Sequence, residues 1–255
     1  MSYLDALLLG IIEGITEFLP VSSTGHLILA SHLLGIPTSD FLKSFEIVIQ
    51  LGAIAAVVTL YWRTFLSVSV CLRLLAGFIP TALLGFTLYP YIKGFLHENL
   101  YVVVLALALG GIVLIVFELL HKEVDSPEQG ITTITYKQAF VIGLFQSLAL
   151  VPGVSRSAAT IVGGLLIGLK RVTIVEFSFL LAVPTMTAAT LYDILKNYQV
   201  FSAETIPLLA TGFITAFLVA LIVIRSLLTY IKKHTFIPFG VYRILLALIF
   251  FFIIL

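Results

Sequence analysis

Glu13 and Glu17 stand four residues apart in an otherwise apolar stretch, followed by the string Val21-Ser-Ser-Thr-Gly-His26. On a helix, a four-residue interval puts both carboxylates on one face, where they repel and require a cation. That cation can be an arginine or a divalent metal, with hard oxygen ligands favouring magnesium or calcium. Without one, a carboxyl must hold a proton. A second polar string, Val151-Pro-Gly-Val-Ser-Arg-Ser157, lies far along the chain and is followed by Thr160. Glycine permits a sharp turn there. Hydroxyls and amides at a helix start can then converge on an anion, with the Arg156 guanidinium gripping its oxygens in pairs. His26 is the natural acid, base or nucleophile, and Ser23 lies three residues before it, within reach of a Ser–His pair if a helix begins at the serines. Together the two strings supply two carboxylates, an imidazole, a guanidinium and several hydroxyls, more than a structural hinge needs.

The rest of the chain must bring these groups together inside a membrane. Of its 255 residues, 60% are apolar and 11% charged, and the mean hydropathy is +1.18. A soluble fold could not cover that much apolar surface with so few charges. A net charge of +1 offers nothing to a nucleic acid, and the single cysteine, Cys71, excludes an internal disulfide framework or a cysteine zinc site. Apolar blocks fall near 3–36, 45–62, 74–92, 100–120, 136–169, 175–193, 207–230 and 236–255, most of them long enough to span a bilayer as helix. The blocks at 3–36 and 136–169 are broken in the middle by the two polar strings. Residues 1–30 do not read as a signal peptide, since they lack a basic start and hold both glutamates.

The broken blocks are copies at an offset of 133 residues: Tyr3 meets Tyr136, Gly10 meets Gly143, Glu13 meets Gln146, Ser22 meets Ser155 and Gly35 meets Gly168. Weak likeness continues, Thr59-Leu-Tyr61 with Thr190-Leu-Tyr192 and Gly77-Phe-Ile79 with Gly212-Phe-Ile214. The expected architecture is therefore an all-α integral membrane protein of two repeats, 1–121 and 136–255, joined by a charged connection at 122–135. Each repeat is a re-entrant helix hairpin plus three transmembrane helices. Three spans per repeat place the hairpins on opposite faces, so the repeats are inverted and the loops meet near the midplane. If the breaks were ordinary loops, eight spans would result. Arg63, Arg73, Lys122, Lys137, Lys170, Arg171, Arg225, Lys232 and Lys233 lie on one side, against Lys43, Lys93 and Lys196 on the other. The basic side is expected in the cytoplasm, with both termini outside.

Other polar residues read more plainly. His32 is expected in packing or at an interface, and His97, His121 and His234 near membrane surfaces. Glu118, Glu176 and Asp193 sit near span ends. Arg243, inside the last span, is expected to pair with a carbonyl or an acid. Glu46 and Gln50 share a helix face and are candidates for supporting the site.

Glu13-Gly-Ile-Thr-Glu-Phe-Leu-Pro-Val-Ser-Ser-Thr-Gly-His26 and Pro152-Gly-Val-Ser-Arg-Ser-Ala-Ala-Thr160 closely resemble the two signature motifs of the undecaprenyl-diphosphate phosphatase family associated with bacitracin resistance. The resemblance extends through Phe45-Glu-Ile-Val-Ile-Gln-Leu-Gly52 and Glu176-Phe-Ser-Phe-Leu-Leu-Ala-Val-Pro184. It implies paired re-entrant hairpins, six spans and an interior site opening to the outer face of the bacterial cytoplasmic membrane. It also implies loss of the terminal phosphate from a C55 polyprenyl diphosphate, and dependence on a divalent cation, Mg2+ or Ca2+. Carried over by position, the acidic pair falls on Glu13 and Glu17, the serine and histidine on Ser23 and His26, and the arginine on Arg156. Ser22, Thr24, Ser155, Arg156, Ser157 and Thr160 would bind the phosphates, and Glu13 and Glu17 would hold the metal. The expected partners are the lipid substrate and the membrane, without nucleic acid. Whether the chain pairs as a homodimer, and whether Ser23, His26 or water attacks, stay open. Broken helices with midplane charge also fit a polyprenyl-phosphate transporter. The acid-phosphatase type of lipid phosphatase needs a further histidine and aspartate after an arginine motif; the histidine after Arg156 is His234, in a basic connection.

Overall fold

The computed structural model describes residues 1–91, 99–121 and 130–254. Over these residues the regular structure is helical: α1 (Tyr3–Thr16), α2 (Ser23–Leu33), α3 (Asp40–Tyr61), α4 (Val68–Tyr91), α5 (Leu100–Leu120), α6 (Tyr136–Gln146), α7 (Arg156–Leu166), α8 (Arg171–Lys196), α9 (Ile206–Ile231) and α10 (Ile237–Ile254). Short 3-10 turns link some of them. Lys93, His97, Lys122 and positions 122–129 of the charged connection lie outside the described residues.

Helix lengths separate two kinds of element. At 1.5 Å per residue, α1 is about 21 Å long and α2, α6 and α7 about 17 Å, all short of a hydrocarbon core of about 30 Å. The helices α3, α4, α5, α8 and α9 are long and apolar enough to cross a membrane, and α10 is a slightly shorter apolar helix. The order of two short helices followed by three long ones occurs twice. Both series begin with the same device. Ser2 caps α1 in a capping box with Asp5, and Thr135 caps α6 in a capping box with Gln138, so that two free amides at each helix start are satisfied reciprocally.

Packing joins the two series. The first short helix, α1, lies on α9, while its counterpart α6 lies on α4; α3 packs on both α8 and α9, and α10 packs on α5. Small residues allow the close approaches, as expected where lipid gives no hydrophobic drive for association. A Cβ on Gly143 of α6 would overlap the Gly77 carbonyl oxygen of α4, and one on Gly10 of α1 would fall 2.7 Å from the Gly212 oxygen of α9. The main buried cluster includes Phe18, Ala53, Val57, Ile161, Phe177, Phe179 and Leu180, and it anchors the first loop where Phe18 meets Phe179 edge to face at 5.0 Å. Large apolar side chains stay exposed on the long helices, among them Leu105, Leu109, Ile222 and Phe252. A lipid-facing surface needs them, and water would not tolerate them.

Candidate active site

Each hairpin turns at a serine in an unusual backbone state. After α1, Glu17 is the C-cap, the chain turns through Phe18–Val21, and Ser22 caps α2 with φ 73° and ψ 90°. After α6, the chain passes a 3-10 turn at Ser147–Leu150 and a tight turn at Gly153, and Ser155 caps α7 with φ 74° and ψ 114°. Among the described residues these two serines are the non-glycine positions with positive φ. Such a state costs about 1–3 kcal/mol and is characteristic of ligand sites. The Ser22 hydroxyl accepts from the Gly25 amide (3.3 Å) and the Ser155 hydroxyl from the Ala158 amide (3.2 Å), which leaves other first-turn amides of both helices available to an anion.

Between the two helix starts lies a chain of charge. Arg156 Nη2 donates to Glu17 Oε1 at 2.9 Å, and the Ser23 hydroxyl donates to the other oxygen, Oε2, at 2.5 Å. Arg156 Nη1 donates to the Ser178 carbonyl of α8 at 2.8 Å. The third guanidinium nitrogen, Arg156 Nε, is buried with no acceptor, and both oxygens of the fully buried Glu13 have no donor. Glu13 lies beside the Glu17 carboxyl and within reach of the charges of Arg156 and Glu46. Thus one site holds an unspent guanidinium donor and an unspent pair of carboxylate oxygens, both out of water, where an unpartnered polar group is costly.

His26 is held at both nitrogens. Nδ1 lies 2.7 Å from the Ser22 carbonyl, which can only accept, so Nδ1 carries the proton and Nε2 accepts from the Tyr242 hydroxyl at 2.8 Å. The two rings are near parallel, 10° apart. The Ser23–His26 pair allowed by their spacing is not formed. Ser23 occupies the first position of α2 and its hydroxyl turns back to the C-cap of α1, whereas His26 folds onto its own N-cap carbonyl.

The other expected binders divide into two groups. Ser155 and Ser157 share a hydrogen bond at 3.1 Å, Ser157 also donates to the Leu19 carbonyl of the first loop at 2.8 Å, and Thr24 is half-buried on the first turn of α2. Thr160 is spent inside the fold: its hydroxyl bonds the Arg156 and Ser157 carbonyls and lies 2.6 Å from the Ser178 hydroxyl, so it braces α7 against α8. Glu46 accepts from Ser31 at 2.8 Å, which ties α3 to α2 beside Glu13, and Gln50 is buried one turn further along α3. In the second hairpin the position of Glu13 is Gln146. Its amide donates to Thr81 (2.9 Å) and Thr185 (3.1 Å), so the charge is concentrated at the first hairpin.

Away from the site, His32 and His234 are exposed and His121 stacks on Phe117 at 4.7 Å. Arg171 holds Glu118 with both arms of its fork, the Tyr61 hydroxyl donates to Glu176 at 3.4 Å, and Asp193 accepts from Asn197 at 2.7 Å. Sequence reading missed Ser178, Ser31 and Tyr242. A serine between Phe177 and Phe179 and a tyrosine before a mid-span arginine were the available signals. The hydrogen bonds of Arg243 run to carbonyls, one of the two partner types expected for it.

A family model described as bacitracin resistance protein BacA matches residues 6–249. Curated relatives named undecaprenyl-diphosphatase include one from Sulfurihydrogenibium sp., 53% identical over 98% of this chain and 99% of its own length. Others are from Persephonella marina, 52% identical over 98% of each chain, and from Wolinella succinogenes, 51% identical over 99% of this chain and 98% of its own.

Proposed function

The chain belongs to the bacitracin resistance protein BacA family, and from that premise we propose that it hydrolyses undecaprenyl diphosphate to undecaprenyl phosphate and inorganic phosphate. This regenerates the lipid carrier for cell-wall polysaccharide synthesis and underlies bacitracin resistance. The observation that carries the reading is the pairing of Arg156 Nε, a buried donor with no acceptor, with Glu13, a buried carboxyl with no donor. A diphosphate would bring acceptors to the first, and a divalent cation held by Glu13 would bring positive charge to the second.

Arg156, with Ser155, Ser157 and the first-turn amides of α7, binds the terminal phosphate and stabilises the charge that spreads over its oxygens during transfer. The attacking oxygen, that of Ser23 or of a water beside it, gives its proton to Glu17, whose Oε2 already holds the Ser23 hydroxyl. Attack on the terminal phosphorus breaks its bond to the bridging oxygen, and undecaprenyl phosphate leaves. If Ser23 attacks, a water then cleaves the phosphoserine. His26, with its proton on Nδ1, keeps Nε2 as a further acid–base group on α2, oriented by the Tyr242 hydroxyl.

Glu13 and Glu17 would hold a hard divalent cation, Mg2+ or Ca2+: both supply oxygen, and neither buried oxygen of Glu13 has a hydrogen-bond partner. When bound, such an ion neutralises phosphate charge. The hairpins are proposed to enter from opposite faces as inverted repeats. The exchanged packing of α1 on α9 and α6 on α4 supports this. The site is proposed to open to the outer face, with the prenyl chain passing between helices into lipid.

The test is phosphate release from C55 diphosphate by purified protein without any gradient, with Mg2+ or Ca2+ against chelator. Release by the wild type that Arg156→Ala loses supports the reading. A folded wild type that releases nothing with either metal overturns it and leaves the transporter alternative.

A further inference from the structure

Arg243 lies within α10, fully buried, and its guanidinium donates to five backbone carbonyls. Nη1 reaches Pro20 of the first loop (3.2 Å) and Val154 of the second (3.1 Å). Nη2 reaches Gly153 (2.9 Å) and Ala106 (3.0 Å), and Nε reaches Leu107 (3.3 Å). Pro20 and Gly153 are 133 residues apart, the same interval that aligns the two loops in sequence. Loop carbonyls at membrane depth have no intrahelical partner and no bulk water, so something in the protein must satisfy them. Here a single planar fork does so for both loops and ties them to α5. Space for it is made by Gly110, where a Cβ would overlap Nη2. The preceding residue, Tyr242, holds His26 Nε2.

We infer that Tyr242 and Arg243 are the positioning pair of the reaction. Arg243 sets the register of one loop against the other, and that register brings Glu17 of the first hairpin to Arg156 of the second. Tyr242 holds the orientation of the His26 ring, whose tautomer the Ser22 carbonyl sets. Neither side chain is assigned contact with the reacting atoms. A buried arginine bonded to one helix would merely pack; one divided between two catalytic loops controls their separation, and a misplacement of 1 Å at such a site costs about a hundredfold in rate. The kinetic part of the inference rests on the phosphatase reading, and the clamp itself does not.

The experiment compares wild type, Arg243→Lys, Tyr242→Phe and Gly110→Ala as full-length detergent-purified proteins, by amide hydrogen exchange and by phosphate release. Lysine keeps the charge but cannot serve five carbonyls. In Arg243→Lys, exchange is expected to quicken at least about tenfold within 18–25 and 151–157 and to stay unchanged in α3, α8 and α9, while kcat falls about a hundredfold and KM stays within about threefold. Tyr242→Phe is expected to lower kcat about tenfold, with KM and exchange unchanged and the pH–rate profile displaced. Should Arg243→Lys not fold, Gly110→Ala, which crowds the guanidinium off its carbonyls, is expected to give the same local exchange. Wild-type exchange and kcat in folded Arg243→Lys, or exchange that rises evenly through every helix, overturns the clamp. Wild-type kcat and pH profile in Tyr242→Phe overturns the tyrosine's part. Local quickening in the variants beside an inactive wild type upholds the clamp and refutes the phosphatase reading instead.

Discussion

Glu17 and Arg156 are 139 residues apart in the chain, and their side chains meet at 2.9 Å with both almost wholly buried. One belongs to the end of the first short helix and the other to the start of a short helix in the second series, so this ion pair is where the two hairpins become one site. Neither charge could be held out of water by itself. Each hairpin therefore needs the other, and the pair, the Ser23 hydroxyl and the Ser178 carbonyl form one connected network.

Arg156→Ala should reduce phosphate release by at least about a hundredfold. It should also destabilise the protein by about 3–5 kcal/mol, since Glu17 is left buried without its partner. Arg156→Lys should recover part of the stability and little of the activity, because an ammonium cannot reach Glu17, Ser178 and a phosphate as a planar fork does. Phosphate release and thermal unfolding followed by circular dichroism in detergent separate the two effects.

Removing divalent metal with chelator should abolish turnover, and Mg2+ or Ca2+ should restore it. Glu13→Gln should yield a protein at least as stable as the wild type, because the carboxyl it removes has no donor. That variant should no longer respond to either metal. A Glu13→Gln protein that keeps wild-type activity and metal response would remove Glu13 from the site.

At Ser22 and Ser155 the backbone and the hydroxyl can be tested apart. Glycine meets less resistance than serine at φ near 73° and costs a helix cap only a few tenths of a kcal/mol. Ser22→Gly and Ser155→Gly should hold stability within about 1 kcal/mol and lose activity with the hydroxyl. Ser155→Val should lose about 1–3 kcal/mol as well, through a β-branched side chain at positive φ. Melting temperature beside turnover reads both.

The contact of α4 with α6 depends on the absence of a side chain at Gly143. Gly143→Ala should separate the two helices and cost about 1–3 kcal/mol. Gly85→Ala, on α4 but with ordinary contact to Leu150 at 3.5 Å, should be neutral or gain about 0.5–1 kcal/mol from helix propensity. Equal effects of the two substitutions would refute the close packing.

Cys71, at the start of α4, tests the proposed orientation, in which the basic connections face the cytoplasm. An impermeant thiol reagent should leave it unlabelled in intact cells and label it in inside-out vesicles. Labelling in intact cells would reverse the orientation.

Much of this protein was legible as sequence because membrane solvent is unforgiving. Apolar length defined the long helices, and polar strings inside apolar blocks could only be functional or broken elements. The four-residue spacing of the glutamates and the 133-residue offset singled out two polar strings, and the structure brings them together through Glu17 and Arg156. Pairing was another matter. Spacing allowed Ser23 to bond His26, but a first-turn hydroxyl can turn either along its own helix or back to the preceding one, and the fold chose Glu17. Thr160 looked like a phosphate ligand until α8 took its hydroxyl. Arg243 and Tyr242 lie more than 200 residues beyond the first loop, and no local pattern reveals which carbonyls a buried guanidinium will satisfy. Residue type and periodicity follow from the solvent each segment must face, so the sequence determined the helices and the chemistry they could carry. Which donor meets which acceptor depends on distances between segments remote in the chain, so only tertiary packing decided how that chemistry is assembled.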